Sequence, residues 1–158
     1  MIERFSISQR SEYQWLLEFL NEYSDMDFYY TENNNRIYIT DSASLKKLFR
    51  NCHVIYTKKE KGDYVGIILI WKSIGGGITR YYVKVVSKTS QIAKDLLTVL
   101  LWNCSLELYT KIRKDSKFLS VFKSKNFKFI GIRGIQILLK RDKSIIKKGY
   151  EKDSEENI

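Results

Sequence analysis

Arg80-Tyr-Tyr-Val-Lys-Val-Val86, followed at once by Ser87-Lys-Thr-Ser-Gln-Ile-Ala-Lys94, decides the fold of this chain. The first stretch is β-branched and aromatic with basic residues interleaved, the pattern of a strand with one polar face. The second opens a strongly apolar helix through Ile92, Leu96, Leu97, Val99, Leu100 and Leu101. A strand that runs straight into a helix leaves backbone N–H groups unpaired at the helix start, and Lys88 and Lys94 add positive charge there. That end is expected to take a phosphate.

Outward from this unit, residues 106–112 read as a strand, 116–123 as a helix, and 128–132 and 135–140 as strands joined by a turn at Arg133-Gly134. On the N-terminal side, residues 64–73 are a nearly continuous β-branched and aromatic run, which fits a strand buried on both faces. Residues 53–58 form another strand and 59–63 a turn. Gly75, Gly76 and Gly77 join strand to strand with no helix after them, so they predict a hairpin and not a phosphate loop. Earlier still, Tyr13, Leu16, Leu17, Phe19 and Leu20 fall at helical spacing within residues 11–24, with Ser11 as N-cap. Residues 25–35 read as a loop and 36–40 as a brief extended segment. Asp41 or Ser42 caps a second helix with Leu45, Leu48 and Phe49 on one face. Trp15, Trp71 and Trp102 lie in apolar stretches and are expected in the core. The order is α+β, a mixed central sheet flanked by helices, within a single domain over residues 1–150. Residues 151–158 are acidic and lack apolar anchors, which predicts a disordered tail.

Charge is one-sided. Residues 1–79 carry ten Lys/Arg and ten Asp/Glu, whereas residues 80–150 carry seventeen Lys/Arg against four Asp/Glu, so the +10 of the chain resides in its second half. Such a field favours a polyanionic ligand, a phosphorylated cofactor or nucleic acid; the competing reading is that a Lys/Ile/Asn-rich composition inflates lysine without a binding role. No apolar run approaches the ~20 residues that span a bilayer, and Met1-Ile-Glu-Arg-Phe-Ser6 lacks the apolar core of a signal peptide, so no membrane partner and a cytoplasmic location are expected. Absence of proline together with abundant Lys, Ile and Asn suggests a phage or an AT-rich bacterium. Cys52 and Cys104 are far apart, and only His53 adjoins one of them, so no metal site is expected and both thiols read as reduced and buried.

With these elements in place the chain resembles the GCN5-related N-acetyltransferase (GNAT) family over most of its length, best over residues 62–141. In that family the central strand leads into a loop of the type Gln/Arg-x-x-Gly-x-Gly/Ala whose amides hold the pyrophosphate of acetyl-coenzyme A. Lys88, Thr89, Ser90, Gln91, Ile92 and Ala93 occupy that place here, between Val85 and Val86 on the strand side and Lys94 on the helix side. The family's later segment, Asn-x-x-Ala-x-x-x-Tyr-x-x-x-Gly-Phe, is matched in spacing by Asp115, Phe118, Phe122, Asn126 and Phe127. The resemblance implies acetyl-coenzyme A as cofactor and an amine as acceptor. Gln91 stands where a glycine admits the phosphate closely, and Phe122 where a tyrosine often protonates the leaving thiolate. A chain that departs at both places is expected either to transfer an acyl group with substitute residues or to be a non-catalytic binding module whose basic residues 80–150 hold nucleic acid or an acidic partner.

Substitute chemistry is sought along the strands. Alternation puts Arg80, Tyr82 and Lys84 on one face and Tyr81, Val83 and Val85 on the other, while Glu107 and Tyr109 share a face of the next strand. Glu107 as base and Tyr109 as acid is the expected catalytic pair. His53, the sole histidine, reads as a surface residue, and the cluster Lys111 to Lys117 faces a coenzyme phosphate, a nucleic-acid backbone or water.

Overall fold

A computed structural model describes residues 1–24, 28–32 and 35–143. One mixed seven-stranded sheet organises them, in the order β1 (Ile2–Arg4), β4 (Cys52–Glu60), β5 (Asp63–Gly75), β6 (Ile78–Ser87), β7 (Leu108–Arg113), β9 (Gln136–Arg141) and β8 (Lys128–Arg133). All neighbours are antiparallel except β6 and β7, which α3 (Ser90–Trp102) joins as a crossover. Two turns with left-handed residues tie the central meander: Lys61-Gly62 between β4 and β5, and Gly76-Gly77 between β5 and β6. The glycine run is thus a two-residue hairpin, as its strand-to-strand position predicts.

The two faces of the sheet are covered separately. On one side α1 (Tyr13–Tyr23) and α2 (Ser42–Arg50) bury Leu16, Leu20, Leu45 and Leu48 against Ile67, Leu69 and Trp71 of β5. On the other, α3 and α4 (Leu119–Ser124) bury Leu96, Leu97, Leu100 and Phe122 against Ile68, Ile70 and Val83. This explains the unbroken apolar run of β5, buried from Tyr64 to Trp71. Gly66 lets α3 lie close, since a Cβ there would meet Ile92 Cγ2 and Leu96 Cδ1 at 2.8 Å.

Several elements differ from the sequence reading. The segment read as loop and brief extension is a hairpin of β2 (Tyr29–Glu32) and β3 (Asn35–Tyr38), whose Tyr29 and Tyr30 pack inward while Tyr38 is exposed; Asp25–Asp27, Asn33 and Asn34 lie outside the described residues. Strand β1 is too short to show a period and exists by pairing with β4. Strand β7 starts at Leu108, so Glu107 precedes it, and α4 starts three residues later than its polar lead-in suggests. Trp15 and Trp102 are 56% and 81% exposed, and only Trp71 of the three is core. Both sit on helices whose apolar stripe is complete without them. Asn126 is left-handed (φ 69°) at the end of α4, where asparagine tolerates that backbone. Residues 151–158 lie outside the described residues.

Candidate functional site

Parallel pairing between β6 and β7 lasts for two positions, Tyr81 with Leu108 and Tyr82 with Tyr109, and then the strands part. The Thr110 hydroxyl closes the apex by donating to the Val83 carbonyl at 2.9 Å, a buried bond that replaces the missing backbone pairing. A cavity of about 20 Å³ remains in the split, bounded among others by Phe28, Val83, Val85, Thr110, Lys111 and Phe118. Such a volume holds a single water at most. Phe28 and Phe118 are the two aromatic side chains of its lining. Beyond the split, the segment before α4 is tied across the mouth: Lys117 Nζ donates to the Ser87 carbonyl at 3.3 Å, and Ser90 Oγ donates to the Lys117 carbonyl at 3.3 Å.

The start of α3 opens on that mouth. Thr89 is its N-cap, with Oγ1 accepting from Ile92 N–H at 3.2 Å, and Lys88 N–H donates to Val65 O at 3.0 Å. Ala93 N–H begins the helical ladder by donating to Thr89 O. Ser90 and Gln91, in the first turn, have no carbonyl four residues back within the helix, so their N–H groups remain for an outside acceptor. Lys88 is exposed and rests over the Tyr23 ring at 5.5 Å; Lys94, just past the first turn, is exposed. Gln91 turns its amide to Asp95 Oδ1 at 2.9 Å. Ile92 and Ala93 are buried against the sheet and contribute packing. Val85 lines the split, whereas Val86 belongs to the opposite core. Asp115 is exposed and paired with Arg113 (3.1 Å), and Phe122 lies in the core against Phe127, ring centroids 5.0 Å apart, away from the split lining.

Glu107 and Tyr109 do meet: the Tyr109 hydroxyl donates to Glu107 Oε1 at 2.9 Å, and Lys140 Nζ holds Oε2 at 3.3 Å. Their electrostatics run against acid–base work. The Tyr109 bond, then Lys140 and Arg80, hold the Glu107 carboxyl below its ordinary value, which makes it a poorer base. Burial, then the Glu107 carboxylate, push the Tyr109 phenol up, which makes it a poorer acid. Lys111, absent from the expected pair, is the group that moves toward neutrality. Burial lowers its proton affinity first, and Arg133, Arg36 and Arg80 lower it further. It lines the split and lies over the Tyr82 ring at 5.1 Å. The alternation that places Tyr109 on this face places Lys111 there too, a signal hidden in the run of basic residues after it. His53 is exposed against Tyr81, and burial raises both cysteine thiols, so neither is an activated nucleophile.

No family model matches the sequence, and no curated protein is similar to it by sequence. Solved structures are similar in fold. A ribosomal-protein-alanine N-acetyltransferase from Brucella melitensis superimposes with TM-score 0.67 at 12% identity, over 90% of this chain and 99% of that one. A GNAT-family acetyltransferase from Streptococcus pneumoniae gives 0.63 at 13%, over 89% and 98%. A putative acetyltransferase from Salmonella typhimurium, solved with its cofactor acetyl-CoA, gives 0.64 at 12%, over 90% and 92%. A split parallel pair with a helix start at its mouth, inside a sheet that these enzymes share, gives this chain the fold of the GNAT acetyltransferases.

Proposed function

We propose that the protein transfers an acyl group from acyl-coenzyme A to an amine, and that it does so in the cytoplasm. The observation that carries this is the parting of β6 from β7 in front of the α3 start, which pairs a slot for an extended arm with a seat for phosphates. The seat fits a diphosphate: Ser90 and Gln91 supply N–H groups, and Lys88, Lys94 and Lys117 supply charge. The slot as it stands holds only about 20 Å³, with Phe28 and Phe118 in its lining, so the arm fits only once those two side chains turn aside. Bound there, acyl-coenzyme A supplies a thioester carbon open to attack by an amine. Lys111, with lowered proton affinity at the split, takes one proton of the incoming ammonium; as the C–N bond forms and the C–S bond breaks, the nitrogen's second proton passes to the departing thiolate, which leaves as the thiol. Glu107, Tyr109 and Lys140 form a fixed polar bracket beside it.

One observation favours a second reading. A split this narrow suits a non-catalytic descendant that uses residues 80–150 to bind nucleic acid or an acidic partner. Calorimetry separates the two. Under the first, acetyl-coenzyme A binds more tightly than adenosine 3′,5′-bisphosphate, which lacks the arm, and a DNA duplex binds negligibly. Equal affinity for both nucleotides, with duplex binding that weakens steeply in salt, moves the assignment to the binding module.

A further inference from the structure

The sheet face opposite α3 presents cations that are already in place. Arg80 Cζ stands 4.8 Å over the Tyr109 ring, Lys84 Nζ 4.3 Å and Arg36 Cζ 4.8 Å over that of Tyr29, and Lys111 Nζ 5.1 Å over Tyr82. The rings form a continuous floor: Trp71 to Tyr82 is 6.2 Å and Tyr82 to Tyr109 is 5.8 Å. Tyr29, Trp71 and Tyr109 are buried, so the floor fixes cations and offers no open face for a base to stack on. Gln136, 1% exposed, fixes Arg36 from the other side by accepting from its Nη2 at 3.1 Å and from Tyr29 OH at 3.2 Å. Glu107 borders the array, but Lys140 and Tyr109 engage both of its oxygens. Trp71 Nε1 is buried with no acceptor among the described residues. Cations held on rings lose little freedom when an anion arrives, which favours binding.

We infer that the acceptor is an anionic amine, a molecule whose phosphate or carboxylate group rests on Arg80 and Arg36 while its amine reaches Lys111 at the split. Guanidinium groups suit such a group because they grip two oxygens at once. Calling the ligand an acceptor rests on the acyl-transfer reading; anion binding does not, and it is measurable without coenzyme A. Inorganic phosphate and, separately, acetate are titrated into the whole protein at fixed ionic strength, followed by nitrogen–proton NMR. Saturable shifts are expected at the Arg80 and Arg36 side chains and at the Tyr82 and Lys111 amides. Arg80→Gln should weaken that site about tenfold, the order for one charge-assisted bond, and leave shifts at Ser90 and Gln91 unchanged. The anion that saturates at lower concentration names the group. Arg36→Gln provides a second variant, and the dispersion of each spectrum reports folding. Shifts confined to the α3 start, or full affinity in both folded variants, overturn the inference. Acetyl-coenzyme A affinity in Arg80→Gln is expected to match that of the parent, and failure of the parent to bind it would strike the acyl-transfer reading alone.

Discussion

The Thr110 hydroxyl and the Val83 carbonyl, 2.9 Å apart and both buried, mark the point where two parallel strands stop pairing. A backbone carbonyl that loses its ladder partner inside a protein needs another donor. Thr110→Val keeps the shape and removes that donor, so it should cost about 1–3 kcal/mol, whereas Thr110→Ser should cost less. Urea unfolding of the two variants checks this. Equal stability of Val and Thr would mean that the strands close up instead of parting.

Ser90 is the first residue of α3, after an extended Thr89 (φ −137°, ψ 160°). Proline is well tolerated at that position and after such a residue. Ser90→Pro deletes one of the N–H groups facing the mouth while keeping the helix. Coenzyme A affinity is expected to fall by roughly tenfold, as for one charge-assisted hydrogen bond, with little change in melting temperature. Unchanged affinity would remove the helix start from the binding site.

Phe118 is buried and lines the split. Phe118→Ala should raise the affinity for acetyl-coenzyme A and leave that for adenosine 3′,5′-bisphosphate as it was. Its stability cost is about 3–5 kcal/mol, typical of a buried Phe→Ala change, so Phe118→Leu serves as the milder probe. If both nucleotides gain equally, the arm does not run past this residue.

Most of this architecture is legible because burial on both faces leaves strong marks: the unbroken apolar run in β5, the apolar stripe of α3, the glycines at a tight turn. What escapes the sequence depends on partners far along the chain. The β2–β3 hairpin is stabilised by Tyr29, which meets Gln136 and Lys84, more than forty residues away, while its own segment is rich in asparagine and acid. Trp15 and Trp102 mislead because an apolar neighbourhood in sequence does not say which way a helix faces. At the site, residue types identify Glu107 and Tyr109 as a pair, and they do touch. The directions in which their proton affinities move come first from their mutual hydrogen bond for Glu107 and from burial for Tyr109, with Lys140 on a neighbouring strand adding to the lowering of Glu107, and none of these is visible in a local pattern.

Glu12 joins the N-terminal segment to the central hairpin through Lys59 Nζ at 2.6 Å and the Tyr64 hydroxyl at 2.7 Å. The Lys59 bond, then that of Tyr64, hold its carboxyl below the usual value. A carboxyl lowered in the folded state stabilises the protein above its unfolded value, and the benefit is lost as pH falls through the folded one. Stability should therefore decline on acidification below about pH 4.5, the ordinary glutamate value, and Glu12→Gln should be weaker at neutral pH with a shallower acid decline. Parallel pH–stability curves for the two proteins would exclude this contact from acid unfolding.

Lys111 and Glu107 make opposite demands of a pH–rate profile. A lysine base works when neutral, and burial with neighbouring guanidinium groups brings that form within reach at lower pH than an ordinary lysine allows. Acyl transfer is then expected to rise with pH through an inflection below the usual lysine range. Lys111→Met should lower kcat by roughly a hundredfold or more, the low end for losing a general base, and remove that inflection. Glu107→Gln should keep the inflection and move it little, because its carboxylate is occupied by Tyr109 and Lys140. The reverse outcome, with Lys111→Met near full rate and Glu107→Gln inactive, would return the base to Glu107 and leave Lys111 as a wall of the split.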